Sequence, residues 1–223
     1  LPLLRDPDSS YYVRQEKDGL LLGPYERNCR AHWLSSDDPM PDDFSFQLYN
    51  DDLERLEWYI EDACARVPIL GTAGITRVVN GPIPYTPDGL PLIGPMPSVP
   101  NAFEACVFTF GIVQAGGAGK LLAEIIIEGE TESDSWAVDP RRFTDHVDTA
   151  YTAAKAIETY SHEYAMHFPQ IQWPAGRKSK YSPLYDRLAA AGAEFGSYGG
   201  WERADWFPAN EGDRRPADRY DRQ

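Results

Sequence analysis

The segment Phe110-Gly111-Ile112-Val113-Gln114-Ala115-Gly116-Gly117-Ala118-Gly119-Lys120 is rich in glycine. Glycine has no Cβ, so a loop of this composition lets backbone amides approach a ligand closely. A helix starting behind it would add a positive partial charge. Gly111 and Gly116 have the separation of a phosphate-binding loop. However, Gly117 stands where the lysine belongs, and Leu121 rather than Ser or Thr follows Lys120. Gly117-Ala118-Gly119 begins a dinucleotide fingerprint, but Leu122 takes the place of its third glycine. Neither motif is complete, and a tight strand–helix packing turn is the alternative. Lys120 is an anion ligand or a solvated helix lysine. Gln114 either hydrogen-bonds a ligand or caps the turn.

The other reactive residue types are dispersed. Cys29, Cys64 and Cys106 lie far apart and form no CxxC. Small buried hydrophobes are expected in preference to a nucleophile, and the pattern suits a reducing compartment. The histidines, His32, His146, His162 and His167, lack zinc spacing. His162 and His167 are five apart, off the i,i+4 face that HExxH uses. No structural metal is expected.

The elements that must position these residues read as follows. Ser10–Glu16, Lys17-Asp18-Gly19 and Leu20–Tyr25 form strand, turn and strand. Ser35–Pro41 is a polar loop. A strand is predicted at Phe44–Leu48. A helix is predicted at Asp51–Arg66, with Leu53, Leu56, Tyr59 and Ile60 on one face, Asn50 or Asp51 as cap and Val67-Pro68 as its end. Strands follow at Gly74–Ile83 and Phe103–Phe110, then the Gly111–Gly119 loop. A helix over Lys120–Glu128, packing Leu121, Leu122, Ile125 and Ile126 inward, is closed by Gly129. Helices are also predicted over Phe143–Tyr160 and Asp186–Ala191. The tail Pro208–Gln223, charged and proline-containing, is expected to be mobile.

Composition narrows the functional classes. Asp and Glu number 35 against 21 Lys and Arg, a formal charge of −14. A general duplex-DNA binder needs a basic surface, so nucleic acid is not an expected partner, and neither is an anionic membrane surface. The longest apolar run, Leu121–Ile127, is interrupted by Glu124 and is far too short to span a bilayer.

Thr86-Pro87-Asp88-Gly89-Leu90-Pro91-Leu92-Ile93-Gly94-Pro95, followed by a strand and the Gly-rich helix start, resembles the carboxy-terminal part of a D-amino-acid-oxidase-type flavin domain. The dimethylglycine dehydrogenase and sarcosine dehydrogenase group is the nearer likeness. Tyr11–Glu16, Gly19–Glu26, Tyr85–Gly94, Phe110–Lys120 and Val138–Phe143 all resemble it. The later half is similar to that group's central linking domain. The matching residues are Tyr160-Ser161, Tyr164, His167-Phe168-Pro169, Trp173–Arg177, Ser182–Leu188, Gly192-Ala193, Phe195-Gly196 and Gly200–Arg203. The family's GxGxxG and the histidine that some members join covalently to flavin have no counterpart here. The family's folate-binding portion would begin near Trp201. With Leu1 where an initiator methionine would stand, the expectation is the middle of a longer enzyme.

The resemblance implies an α+β fold: a partial flavin/substrate domain over 1–143 with a mixed sheet of about five or six strands, a small irregular linking domain over 144–207, and the tail 208–223. It implies FAD as cofactor, with tetrahydrofolate confined to the absent domain. The implied reaction is oxidative N-demethylation of dimethylglycine or sarcosine, with hydride passing from the N-methyl carbon to flavin N5. Electron-transfer flavoprotein or oxygen would accept the electrons. The compartment would be the cytoplasm, or the mitochondrial matrix in a eukaryote. Backbone amides of Phe110, Gly111, Ile112, Val113, Gln114 and Ala115 would stabilise charge near flavin N1 and O2. A carboxylate substrate wants an arginine fork or phenols. Tyr12 and Arg14 share one strand face, Tyr11 and Val13 the other, so Tyr12 and Arg14 are the expected catalytic pair. An ordinary aromatic sheet is the other reading of the same residues. A catalytically silent packing piece and an oxidoreductase for another amine are the alternative functions.

Overall fold

The computed structural model describes residues 2–27, 29–167 and 171–214. In chain order the elements are β1 (Leu4–Asp6), β2 (Tyr11–Glu16), β3 (Gly19–Pro24), α1 (Glu57–Arg66), β4 (Leu92–Pro95), β5 (Phe103–Cys106), α2 (Gly111–Glu128), α3 (Thr149–Ser161), β6 (Lys180–Tyr181), α4 (Tyr185–Ala190), β7 (Glu194–Tyr198) and β8 (Trp201–Trp206). They fall into two units, Leu1–Pro84 with Ala156–Met166, and Tyr85–Lys155 with His167–Gln223.

The first unit is built on an antiparallel sheet in the order β1-β2-β3. β2 and β3 form the expected hairpin, with Glu16 opposite Gly19 across Lys17-Asp18. Side chains alternate along β2. Tyr11 and Val13 are buried and make the core with Tyr59 and Ala63 of α1, lined by Leu4, Leu22, Leu56 and Leu70. Burial, then the neighbouring Asp62 carboxylate, pushes the Tyr11 phenol up to about 12. Buried Asp6 accepts the Asp8 and Ser9 amides at 3.1 and 3.0 Å and pairs with Arg66 at 2.6 Å. From the end of α3, Tyr160 donates its hydroxyl to Glu26 Oε2 at 2.6 Å.

Three expectations fail in this unit. The helix begins at Glu57, not Asp51, and Leu56 is its N-cap. A 3-10 turn, Glu54–Leu56, precedes it, with Asp52 Oδ1 accepting the Arg55 amide at 3.4 Å. A side-chain acceptor ahead of the helix competes with α-geometry there. Phe44–Leu48 is not a strand: Phe46 has φ 53°, which no extended ladder accommodates, and its side chain is fully exposed. Gly74–Ile83 is irregular as well. Among the described residues it meets the chain at Asn80, whose carbonyl accepts the Tyr49 amide at 2.7 Å, in place of a ladder.

In the second unit, β4 and β5 pair antiparallel, from Leu92 opposite Cys106 to Pro95 opposite Phe103. α2 follows and ends at Gly129, whose φ of 83° is the left-handed conformation glycine accepts without Cβ strain. The expected loop over Gly111–Gly119 is helical instead. None of Gly111, Gly116, Gly117 and Gly119 has positive φ, so one 18-residue helix runs through them. α3 begins at Thr149 rather than Phe143, and β5 ends at Cys106 rather than Phe110. The last sheet has the order β6-β8-β7, with β6 parallel and β7 antiparallel to β8.

The content is α+β, but the expected mixed sheet of the first 110 residues is not formed. Its strands divide into a three-stranded and a two-stranded sheet, and among the described residues the segment between β3 and β4 adds to them only an isolated Ser35–Asp38 bridge. Of the expected mobile tail, Glu211–Arg214 is a 3-10 turn in which Arg214 pairs with Glu211 and Glu194. Residues 215–223, and Phe168-Pro169 of the resemblance, lie outside the described residues. No helix among the described residues is long and apolar enough to cross a membrane.

Candidate functional site

The amino-terminal end of α2 gathers all six expected cofactor contacts. Phe110 is the N-cap residue, at φ −114° and ψ 50°, and no side chain caps the helix there. The Gln114 amide makes the first turn's bond, to Phe110 O at 3.2 Å. Amides ahead of it have no intrahelical acceptor and present the positive end of the helix dipole. Gln114 Oε1 is buried without a hydrogen-bond partner among the described residues. Ile112 and Val113 are 96% and 82% exposed, so two apolar side chains stand at the tip of a polar helix end.

The glycines sharpen this geometry. Their φ is helical, and a Cβ on Gly116, Gly117 or Gly119 would meet nothing within 4 Å. Each glycine in a helix interior costs about 0.5–1 kcal/mol relative to alanine. Neither backbone conformation nor internal packing explains that cost. A bare flank, uncapped amides, two exposed apolar side chains and one orphaned amide oxygen together fit a flat, partly apolar group that accepts hydrogen bonds at one edge. FAD's isoalloxazine ring has that chemistry. Lys120, by contrast, is occupied: it pairs with Glu124 at 3.0 Å and Glu132 at 3.3 Å in solvent.

The expected catalytic pair lies in the first unit. Tyr12 is half-buried, and its ring covers Gly23, where a Cβ would come within 2.3 Å of ring carbons. It meets Tyr164 edge-on at 5.9 Å, and Tyr164 meets Tyr25 at 4.7 Å. Burial, followed by Tyr164, drives the Tyr25 phenol well above its ordinary range. Arg14 is exposed and donates to Glu16 Oε2 at 2.5 Å. The guanidinium that accompanies the tyrosines is Arg5, opposite Tyr12 across the strands and 4.1 Å from the Tyr164 ring centroid. Sequence reasoning missed Arg5. Its signal was there in the strand register, but β1 was not anticipated. An open depression of about 430 Å³ in the second unit, lined by Lys178, Tyr181, Ser182, Tyr185 and Asp186, contains none of the expected residues.

The comparisons with known proteins bear on the same elements. The family model described as FAD dependent oxidoreductase matches residues 1–125, and that described as FAD dependent oxidoreductase central domain matches residues 128–182. The chain belongs to the FAD-dependent oxidoreductase family. It is 41% identical over 224 residues to the mitochondrial dimethylglycine dehydrogenase of Homo sapiens, covering 97% of this chain and 26% of that protein. It is 37% identical over 216 residues to the mitochondrial sarcosine dehydrogenase of Mus musculus, covering 95% and 23%. It is also 37% identical over 211 residues to the formaldehyde-forming 4-methylaminobutanoate oxidase of Paenarthrobacter nicotinovorans, covering 94% and 25%. The chain thus spans about a quarter of the length of the curated relatives it matches.

Proposed function

We propose that this chain is the carboxy-terminal flavin/substrate portion and central linking portion of an enzyme that oxidatively demethylates a small N-methylated amino acid, dimethylglycine or sarcosine. The division proposed is 1–143 for the former and 144–207 for the latter. The observation that carries the reading is the uncapped, glycine-flanked amino terminus of α2, in a chain whose relatives include a dimethylglycine dehydrogenase and a sarcosine dehydrogenase. FAD, when bound, supplies the two-electron acceptor for oxidation of the N-methyl carbon. Of the expected amides from Phe110 to Ala115, those of Phe110 to Val113 lack an intrahelical acceptor and would hold its polar edge and favour negative charge there, whereas the Gln114 amide is taken by Phe110 O. Ile112 and Val113 would exclude water from the ring, and Gln114 Oε1, buried without a partner among the described residues, would accept a hydrogen bond from it. Tyr12 would orient the substrate carboxylate by its hydroxyl, with Arg5 as the cationic partner beside the rings, since Arg14 is held by Glu16. Electron-transfer flavoprotein or oxygen would take the electrons, and tetrahydrofolate belongs to a portion outside this sequence.

A second reading, an oxidoreductase for a longer methylated amine, is favoured by the likeness to the methylaminobutanoate oxidase. One experiment separates them. The purified protein is mixed with FAD, freed of unbound flavin, and titrated anaerobically with dimethylglycine, sarcosine and 4-methylaminobutanoate. Bleaching of retained flavin by either glycine derivative supports the proposal. Bleaching by the butanoate alone selects the second reading. Retained flavin that none of the three amines bleaches rejects both, and absence of retained flavin marks this chain by itself as an incomplete, catalytically silent piece.

A further inference from the structure

Arg142 is a buried cation with an unusual set of partners. Its side chain is 3% exposed. Nε donates to Asp88 Oδ2 at 2.8 Å and Nη2 to Asp88 Oδ1 at 2.9 Å. Nη2 also reaches Leu90 O at 2.8 Å, and Nη1 reaches Asp139 O at 3.1 Å. The guanidinium lies 4.3 Å from the Phe143 ring centroid. Asp88 is engaged from the other side as well: its Oδ1 accepts the Leu90 amide at 3.1 Å and lies 2.9 Å from the Thr86 hydroxyl. The carboxylate therefore ties the Thr86–Leu90 turn to itself and to a residue 54 positions away. Pro140, two residues before Arg142, packs against Gly94, where a Cβ would approach its Cδ to 3.2 Å.

The register of the β4–β5 ribbon shows what lies beside this fork. Leu92 pairs with Cys106, so the turn that ends at Leu90 lies at the same end of the ribbon as the segment 107–110 that enters α2. The opposite end, where Pro95 pairs with Phe103, leads away from it. A bidentate arginine–carboxylate fork fixes direction as well as distance. Asp88 falls in the match to the oxidoreductase model and Arg142 in the match to the central-domain model, so the fork joins the two within one unit.

We infer that Arg142 is a positioning residue, which sets the Thr86–Leu90 turn and with it the flavin-facing end of α2. The inference rests on the flavin reading proposed above. Its test uses the holoprotein and three variants. Arg142→Lys keeps the charge and loses the fork, Asp88→Asn keeps the shape and loses the charge, and Arg141→Gln alters the exposed neighbour that pairs with Asp139. Flavin dissociation constant, the visible spectrum of bound flavin and apoprotein melting are measured for each. The expected result is at least about a tenfold weaker flavin affinity and an altered flavin spectrum for Arg142→Lys and Asp88→Asn, while Arg141→Gln matches wild type. Unchanged affinity and spectrum in Arg142→Lys would overturn the inference alone. Flavin loss that merely follows apoprotein melting, with an unaltered spectrum of whatever flavin remains, would overturn it too, by making Arg142 structural. A wild-type protein that holds no flavin when mixed with FAD would overturn the underlying reading for this chain, and this inference with it.

Discussion

Glu202→Gln tests whether one buried fork organises the last sheet. The Glu202 side chain is 1% exposed and accepts three bonds: Arg177 Nε at 2.8 Å, Arg177 Nη2 at 2.6 Å and the Lys178 amide at 2.7 Å. Glutamine keeps the shape but turns an NH2 toward a guanidinium. Removing one partner of a buried pair costs about 3–5 kcal/mol. Arg177 is 24% exposed and still donates to Phe195 O at 2.8 Å, so the lower end applies, about 3 kcal/mol. For a chain of this size that corresponds to about 6–12 °C in Tm. The pH dependence has a definite sign. The hydrogen bond from Arg177, above all, holds the Glu202 carboxyl below its ordinary value. A depressed folded pKa contributes stability above the unfolded value, about 4.3, and loses it as pH falls through the folded one. The assay is urea unfolding of wild type and variant from pH 7 to pH 3. The stability gap should be flat to about pH 5 and then close. A gap under about 1 kcal/mol at pH 7, the size of a surface pair, would refute the reasoning. So would a gap that widens on acidification.

Further outcomes follow from other sites. Gly117→Ala should stabilise the apoprotein by about 0.5–1 kcal/mol, since its Cβ meets nothing, and should weaken flavin retention. A variant that is more stable and binds flavin as tightly as wild type removes the close-approach argument. Gly200→Ala should cost about 2–4 kcal/mol in denaturant unfolding, because φ is 81° and the new Cβ would lie 2.5 Å from His146 Nε2. A cost under about 1 kcal/mol would mean that His146 moves freely. Tyr160→Phe, which removes the bond to Glu26, should lower stability by about 1–3 kcal/mol, and an unchanged unfolding midpoint would contradict the contact. Cys106 is exposed, but partial burial and then the Glu104 carboxylate raise its thiol pKa. Iodoacetamide should modify it more slowly than free cysteine at pH 7, and Glu104→Gln should speed the reaction. Equal rates in both proteins would discount the carboxylate.

Local signals were legible where the chain needed no distant partner. The β2–β3 hairpin, the stop at Val67-Pro68 and the Gly129 terminus match their sequence patterns closely, because strand alternation, proline sterics and left-handed glycine act over a few residues. Phe44–Leu48 and Gly74–Ile83 were misread for the converse reason. β-propensity describes fit to a neighbour, and no neighbouring strand is supplied. The glycines after Phe110 misled in the same way. Composition suggests a loop, but a strong apolar periodicity from Leu121 onward carries the helix back to Gly111.

The motif order from Tyr11 to Trp206 determined the family, and the alternation along β2 determined that Tyr12 and Arg14 share a face opposite Tyr11 and Val13. Those properties are local, so the residue string contains them. Tertiary structure decided which cation meets which group. Arg5 rather than Arg14 stands beside the tyrosines, Asp88 receives Arg142, and Glu202 receives Arg177. Asp88 and Arg142 are 54 residues apart and Glu202 and Arg177 are 25 apart, and no periodicity links them. A charge buried on folding must find its counter-ion wherever the backbone brings one, and only the folded chain specifies that place.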